Sequence, residues 1–301
     1  MPVKKLFLSV GAMKAGTTFL FNIFNSHPDL YFTPEKELHF FAHMNGLSDE
    51  LHQAIVPKTL PLPALGGSIL TPAFRRHRLS MVLHNRFAKL KDADRLREIV
   101  LWYADKYLAD PIDDAWFDRA FEAAGDRYAA DFSNYHALLP STGWDHVRRM
   151  ANELKVIYVV REPVARLWSH IKFHLIQAGQ RDKLLALDTP ELERILETGP
   201  ISSHGRYGDI VAHLQRNLKP DQLKIVVFED FIEKFPESAR EVEIFLGIRA
   251  HDYSNFSASR KANATENLAI PPEMEARLKE VTRPQVRKLR ELVGAVADRY
   301  I

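Results

Sequence analysis

A short apolar strand that runs into a glycine-bounded turn is the feature that most constrains this chain. Residues Leu6–Val10 form the predicted strand, and the turn from Gly11 to Gly16 has the Walker-loop spacing Gly-x-x-x-x-Gly-Lys-[Ser/Thr]. Backbone N–H groups and the start of the following helix bind phosphate in such turns. The Walker lysine position holds Thr17, however, and the lysine lies three residues earlier, at Lys14. The turn therefore predicts an anion site without the lysine position that ordinary nucleotide hydrolases and kinases use.

Apolar strands that alternate with helical segments predict an α/β fold of P-loop type. Its three layers are a central, mostly parallel sheet and helices on both faces. The predicted strands are Leu6–Val10, Val156–Val160 and Leu223–Phe228, with a weaker one at Arg127–Ala130. The helical segments are Thr17–Asn25, Val164–Gln177 and Phe235–Leu246. Ligands in such folds bind beyond the carboxyl ends of the strands, so the turns after the strands are the expected site.

One domain with a helical insertion is the simplest organisation. The segment 46–126 begins with a proline-rich stretch and continues into helical patterns at Arg95–Tyr107 and Asp114–Ala124, which indicates a mostly helical insertion on the acceptor side. Residues Pro271–Arg299 form an amphipathic pattern that we expect Pro284 to interrupt. Residues 1–301 contain no internal repeat and no clear linker, which favours a single domain.

Composition excludes several classes of function. The chain of 301 residues has no cysteine, which rules out disulfides, thiol catalysis and cysteine-bound metals. Its net charge of +2 gives no signal for nucleic acid. No stretch has the roughly 20 apolar residues of a membrane span, and the N-terminus lacks a convincing signal peptide. We expect a cytoplasmic protein without a metal, since no cluster of His, Asp or Glu has ligand spacing.

Two further groups of residues carry possible chemistry. If the stretch around Glu37 and His39 is extended, the two side chains project to one side, where a carboxylate and an imidazole can act as a base and its partner. Arg161 and Ser169 follow the strand that ends at Val160, and Pro163 suits the first turn of a helix. Together they can hold a second phosphate. Taken singly, these residues are more often surface ion pairs or solvated helix positions.

The motifs occur in an order that resembles a known family. They are Lys14-Ala15-Gly16-Thr17-Thr18, Ser26-His27-Pro28-Asp29, Glu35-x-Glu37-x-His39-Phe40-Phe41 and Arg161-x-Pro163-x-x-Arg166-x-x-Ser169. This set resembles the sulfotransferases that use 3′-phosphoadenosine 5′-phosphosulfate (PAPS). It is most similar to the branch of heparan sulfate N- and 3-O-sulfotransferases and their bacterial relatives. The resemblance covers Leu6–Phe41 and Lys155–Phe173 strongly and Gly205–Glu237 moderately.

The resemblance implies which residues bind PAPS and its product, 3′,5′-adenosine bisphosphate (PAP). The turn holds the 5′-phosphosulfate, with Lys14 at the bridging oxygen, and two later residues hold the 3′-phosphate. The donor-binding residues are Lys14, Ala15, Gly16, Thr17, Thr18, Arg161 and Ser169. A late loop closes over the nucleotide in this family, and Arg260 and Lys261 are its positional match here.

The resemblance also implies the catalytic base. Glu37 matches the glutamate that acts as base in the heparan sulfate enzymes, and His39 matches its neighbouring histidine. Those enzymes also have a Glu-Lys-[Ser/Thr]-Pro-x-Tyr segment, and Ala130–Tyr135 takes its place here with Asp131 instead of the lysine. That change disfavours a highly anionic acceptor. His136, next to this segment, is a second candidate for the base.

Three functions remain open at this point. The first is transfer of a sulfuryl group to a hydroxyl or amine of a carbohydrate or small metabolite. The second is a nucleotide kinase or hydrolase with a degenerate Walker loop, because the strand before Glu229 and Asp230 resembles one whose acid organises Mg²⁺. The resemblance instead assigns Glu229 or Asp230 to capping the next helix. The third is a nucleotide-binding protein without catalysis.

Overall fold

The computed structural model describes residues 3–47, 70–87, 93–256 and 268–300. The predicted nucleotide-covering residues Arg260 and Lys261 lie outside these ranges, as does most of the proline-rich start of the predicted insertion. The described part of that insertion is helical, as its pattern predicts. That the chain is one domain stays a prediction.

Five strands of the described chain form one parallel sheet, in the order β2-β3-β1-β4-β5. They are β1 (Val3–Ser9), β2 (Leu30–Phe32), β3 (Tyr128–Asp131), β4 (Ala151–Val160) and β5 (Leu223–Val227). β1 and β4 lie in the middle of the sheet, and their carboxyl-terminal halves are completely buried. This burial on both faces explains why these strands are continuous apolar runs in the sequence. The predicted α/β fold is confirmed.

Helices flank the sheet on both faces and form the remaining described regular structure. The α-helices are α1 (Thr17–Phe24), α2 (Phe40–Met44), α3 (Pro72–Phe87), α4 (Ala93–Trp102), α5 (Asp114–Ala120), α6 (Ser141–Arg149), α7 (Pro163–Gln177), α8 (Arg181–Leu185), α9 (Thr189–Leu196), α10 (Gly199–Gly205), α11 (Tyr207–Asn217), α12 (Phe228–Glu233), α13 (Glu237–Leu246) and α14 (Pro272–Val293). A π-helical turn (Tyr103–Tyr107) follows α4, and 3₁₀ turns cover Glu122–Ala124, Asn134–Leu138 and Gly294–Tyr300. None of these described helices has both the length and the hydropathy that crossing a membrane requires.

The core consists of two clusters of buried apolar side chains. The larger one surrounds the sheet and includes aromatic residues of the insertion, such as Trp102, Tyr103 and Trp116. The smaller one joins α7 to α9, α10 and α14, with Trp168 and Leu278 among its members. The aromatic residues of the insertion therefore pack in the core, which accounts for them without a role in acceptor binding.

Three elements differ from the predictions. Strand β2 has only three residues and lies at the sheet edge, so its sequence carries too short a pattern to detect. Helix α14 continues through Pro284 instead of breaking there. Pro284 lies on the exposed face, and buried residues on either side, Thr282 and Val286, hold the helix against the protein. The helix predicted from Phe235 begins two residues later, at Glu237, because α12 precedes it.

Candidate active site

The glycine-bounded turn links the end of β1 to helix α1, as predicted. Its first residues are held by β4, because Ala12 N–H donates to the Val159 carbonyl at 2.8 Å and Val159 N–H donates to the Gly11 carbonyl at 2.7 Å. Gly16 has φ +96°, and a Cβ there would lie 2.1 Å from the Phe228 ring. Only glycine fits this position without moving the ring or the backbone. The turn is thus fixed by the sheet below it and by an aromatic ring beside it.

Some of the predicted hydrogen-bond donors of the turn are already bonded to other groups of the protein. Ala15 N–H donates to the Ala12 carbonyl at 3.1 Å, so its predicted phosphate contact is already replaced by a bond within the turn. The Thr17 hydroxyl donates to Asn134 Oδ1 at 3.1 Å in a buried contact and serves the scaffold. Thr17 and Thr18 are the first residues of α1, and N–H groups at a helix start have no acceptor within the helix. Those two N–H groups are therefore donors that an anion can use.

Lys14 is a cation of the site whose pKa is strongly shifted. It is partly buried, has φ +68°, and its Nζ lies 4.4 Å from the centre of the Phe173 ring. Burial, followed by the positive charge of Arg161 and those of Lys172 and Lys36, lowers the pKa of Lys14 to about 8, whereas Glu37 opposes this shift. The turn therefore holds a lysine whose charge is destabilised by its surroundings. A bound anion would remove that penalty.

Glu37 and His39 meet, although not in the way the sequence predicts. The segment is irregular, and His39 adopts a left-handed conformation with φ +54°, yet its Nε2 lies 3.2 Å from Glu37 Oε2. Lys36 Nζ donates to the other oxygen, Oε1, at 2.5 Å and to Thr18 Oγ1 at 3.3 Å. Burial raises the pKa of Glu37, but Lys36 and His39 outweigh it and leave this pKa well below its usual range. Glu37 is thus a carboxylate next to the anion-binding turn.

The segment after β3 is a scaffold for this loop. Asp131 Oδ1 accepts from Leu38 N–H at 3.2 Å, and Ser133 Oγ accepts from His39 N–H at 2.9 Å. Burial raises the pKa of Asp131 to about 6, although its hydrogen bond from Ser133 lowers it. The stretch that takes the place of the Glu-Lys-[Ser/Thr]-Pro-x-Tyr segment thus supports the backbone of residues 38 and 39. Its polar side chains are buried behind the loop.

His136 lies in the core behind the site. Its side chain has no exposed surface, and its ring packs against Phe41 with centroids 5.4 Å apart. Burial lowers the pKa of His136 well below the usual value, the nearby His39 lowers it further, and Glu37 opposes both. In this structure His136 has no surface that an acceptor could contact, whereas the side chain of Glu37 is 28% exposed.

Arg161 and Ser169, the predicted ligands of a second phosphate, lie just after β4 and within α7. Arg161 follows β4 directly, its Nη1 donates to the Lys14 carbonyl at 3.2 Å, and its guanidinium lies 5.6 Å from the centre of the Phe228 ring. Ser169 is partly buried in α7, which Glu162 caps by accepting from the N–H groups of residues 164 and 165 at 3.0 and 2.5 Å. One arginine thus joins the anion-binding turn to the start of α7.

The acids after β5 have structural partners. Glu229 accepts from Glu162 N–H at 2.8 Å and from the Tyr300 hydroxyl at 2.8 Å, and Asp230 forms an ion pair with Arg299 at 2.5 Å. The prediction that one of the two acids caps the next helix is wrong, since α12 begins at Phe228 and both acids lie in its first turn. In the described ranges, no group of three or more His, Asp or Glu residues is arranged to hold a metal ion.

Two site residues have no assignment in the sequence-based prediction. Lys36 contacts both Glu37 and Thr18, and Lys172 is a buried lysine of α7 whose charge affects Lys14. Each had a signal: Lys36 lies inside the Glu-Lys-Glu motif, and Lys172 comes three residues after Ser169, which places both on one helix face. The repulsion between their charges and that of Lys14 arises only in the folded protein.

The family follows from comparison with known proteins. The profile described as the sulfotransferase family matches residues 7–252, which include the turn, the Glu37 loop and α7. The chain therefore belongs to the sulfotransferase family. A search of curated proteins returns no match.

Two solved structures share the fold over almost the whole chain. A sulfotransferase from Alicyclobacillus acidocaldarius is 18% identical with a TM-score of 0.54, and the alignment covers 97% of this chain and 96% of that one. A sulfotransferase domain from the olefin synthase of Synechococcus PCC 7002 is 17% identical with a TM-score of 0.51, and the alignment covers 96% and 94%. Both likenesses concern the fold.

Proposed function

We propose that the protein transfers a sulfuryl group from PAPS to a hydroxyl or amine of a carbohydrate or small metabolite. The observation that carries the proposal is the position of Lys14, a partly buried and electrostatically destabilised lysine in the glycine-bounded turn, beside a carboxylate. Membership of the sulfotransferase family supports the reaction class. Among the branches of the family, the Glu37–His39 motif favours the heparan sulfate N- and 3-O-sulfotransferases and their bacterial relatives.

The residues present fit a polyanionic donor. Three cations, Arg161, Lys172 and Lys36, crowd around Lys14 and oppose its charge, and Glu37 is the carboxylate that offsets them. Such an excess of positive charge is unfavourable unless an anion joins it. The N–H groups at the start of α1 add donors for the 5′-phosphate, and Arg161 with Ser169 would hold the 3′-phosphate. PAPS, when bound, supplies the sulfuryl group.

Each site residue then has a definite task. Glu37 receives the proton of the acceptor hydroxyl or amine, and its low pKa means that it is ionised throughout the neutral range. His39 orients the Glu37 carboxylate through the 3.2 Å contact. The Lys14 ammonium stabilises negative charge on the departing phosphate oxygen. Lys36 contacts both Glu37 and Thr18, and it therefore links the base to the anion-binding turn.

An acceptor screen with ³⁵S-labelled PAPS tests the proposal. We expect label in a carbohydrate or small-metabolite fraction without added Mg²⁺, and its loss in Lys14→Met and Glu37→Gln. Lys224→Met is the matched control, because Lys224 is a lysine of β5 that pairs with Glu241 and is placed outside the site. Calorimetry should show PAP binding tighter than ATP binding.

Two outcomes would contradict this function. Turnover of ATP that depends on Mg²⁺ would favour the kinase or hydrolase instead. Binding of PAP together with transfer to no acceptor class, unchanged in Glu37→Gln, would favour a nucleotide-binding protein without catalysis.

A further inference from the structure

The helical insertion reaches the candidate base through a buried carboxylate two residues away. Glu35 is 4% exposed and accepts from the Tyr103 hydroxyl at 2.7 Å through its Oε2. Arg78 Nε lies 3.4 Å from the same oxygen, and Arg78 Nη2 donates to Oε1. Arg78 belongs to α3 and Tyr103 to the π-helical turn, so two separate helical segments bind one side chain.

Both partners are suited to hold this carboxylate permanently. Burial, followed by the charge of Glu35, raises the pKa of Tyr103 above its usual range, so its hydroxyl stays protonated and donates. Burial lowers the pKa of Arg78, but Glu35 outweighs it and leaves this pKa above the usual value. A carboxylate bound through both oxygens by an arginine and a tyrosine has little freedom to rotate.

The Glu35 contacts hold the first half of the loop that carries Glu37. The second half is tied to β3 and its following segment through the backbone of Leu38 and His39. In the first half, the Lys36 carbonyl accepts from Phe132 N–H at a long 3.4 Å. The charged contacts of Glu35 therefore tie the loop to the insertion between the end of β2 and Lys36, and Lys36 is the residue that binds Glu37.

We propose that Glu35 is a positioning residue, which orients Lys36 toward Glu37 by fixing their loop to Arg78 and Tyr103 of the helical insertion. The proposal rests on the proposed function only where it names Glu37 as the base. It links the acceptor-side insertion to the base directly, so that a change in α3 or in the π-helical turn is transmitted to Glu37 over one short segment.

The pKa of Glu37 is a suitable quantity to measure, because a general loss of stability would not change it. The groups that face Glu37 are Lys36 and His39 on its own loop, and Lys14, Asp131, His136 and His204 on neighbouring elements. Lys36 is the strongest of the influences that favour the charged form. If Lys36 swings away from the partly buried Glu37, the charged form loses its strongest partner and the pKa of Glu37 rises.

Carboxyl ¹³C NMR on glutamate-labelled protein measures this, with the Glu37 signal assigned by its absence in Glu37→Gln. In the wild type we expect Glu37 to remain ionised down to about pH 4, below the ordinary glutamate value of about 4.3. In Glu35→Gln its titration should move upward by at least about one pH unit. Glu153→Gln is the matched control. Glu153 also accepts a hydrogen bond from a tyrosine hydroxyl, that of Tyr128, but it lies on β4 and not on the Glu37 loop.

Tyr103→Phe keeps the experiment decisive if Glu35→Gln fails to fold, because it removes a single hydrogen bond. It should move the Glu37 titration in the same direction by a smaller amount. An unchanged Glu37 titration in either folded variant would overturn the proposal, and an equal shift in Glu153→Gln would do so too.

The titration needs no acceptor, so its result is independent of whether the protein transfers a sulfuryl group. With the acceptor from the screen, Glu35→Gln should lower kcat about tenfold and leave the Kd for PAP unchanged.

Discussion

Replacing Lys14 with methionine should make the folded protein more stable while it weakens ligand binding. Methionine has nearly the same length and shape, has no charge, and can keep contact with the Phe173 ring. Lys14 lies at φ +68°, and methionine at this position bears the same backbone cost as lysine. The substitution therefore isolates the cost of holding a charge in this turn.

The magnitude follows from the pKa of Lys14. Burial and then the neighbouring Arg161 lower it from 10.5 to about 8. A difference of about 2.5 pH units at about 1.4 kcal/mol each is ~3 kcal/mol of destabilisation in the protonated form. Loss of the contact between the ammonium and the Phe173 ring opposes this by about 1 kcal/mol. We expect Lys14→Met to raise the free energy of unfolding by about 2 kcal/mol at pH 7.

The pH dependence gives the sign of the effect independently. Below pH 8 Lys14 is charged in both the folded and unfolded states, and the whole cost is present. Between about 8 and 10.5 the folded state loses its proton first, so the cost declines, and above 10.5 it disappears. The advantage of Lys14→Met over the wild type should therefore be largest at pH 7 and small at pH 10.

Urea denaturation at pH 7 and pH 10 measures these differences. The exposed-lysine control Lys224→Met should change stability by less than about 0.5 kcal/mol at either pH. Calorimetry at pH 7 should show PAP binding weakened about 10- to 100-fold in Lys14→Met, since a hydrogen bond to a charged group is lost. A destabilised Lys14→Met at pH 7, or a stability difference that is the same at both pH values, would refute the electrostatic reasoning.

Three other substitutions test single contacts. Arg161→Ala should weaken PAP binding about 30-fold by calorimetry and leave kcat nearly unchanged, because the role proposed for this arginine is to hold the donor; a large fall in kcat at saturating PAPS would contradict that. Gly16→Ala should destabilise the protein by at least about 2 kcal/mol in urea and abolish PAP binding, because its Cβ would lie 2.1 Å from Phe228; wild-type affinity would exclude this. Arg75→Met should cost about 3 kcal/mol, since Arg75 is completely buried and binds three carbonyls and Asp110; a change below 1 kcal/mol would show that the contacts are replaceable.

The predicted fold was accessible from sequence because its central strands β1 and β4 are buried on both faces. β1, β4 and β5 are apolar runs followed by helices, which is the pattern of a parallel sheet. β2 escaped detection because three residues are too few to show a periodicity of their own, and they form a strand only by pairing with β3. Pro284 led to the wrong prediction of a helix break. The helix continues because buried residues anchor it on both sides of the proline, and the missing backbone N–H lies on its exposed face.

The candidate site divides in the same way between local and tertiary effects. The Gly16 turn, the Glu37–His39 pair and Arg161 after β4 are contiguous motifs, and their chemistry is readable along the chain. The engagement of Ala15 N–H and of the Thr17 hydroxyl within the scaffold is not readable, because their partners are a turn carbonyl and Asn134. Sequence shows which groups can donate, and packing decides which of them are already used.

The amino-acid sequence by itself determined the glycine-bounded turn, the parallel α/β sheet and the family, because each of these depends on residues close together in the chain. Only the tertiary structure decided how the site is charged. Lys14, Lys36 and Lys172 come from three distant motifs, and their mutual repulsion exists only when the sheet brings those motifs to one edge. The tie from Glu35 to Arg78 and Tyr103 likewise spans 43 and 68 residues, and side-chain contacts over such distances are set by folding alone.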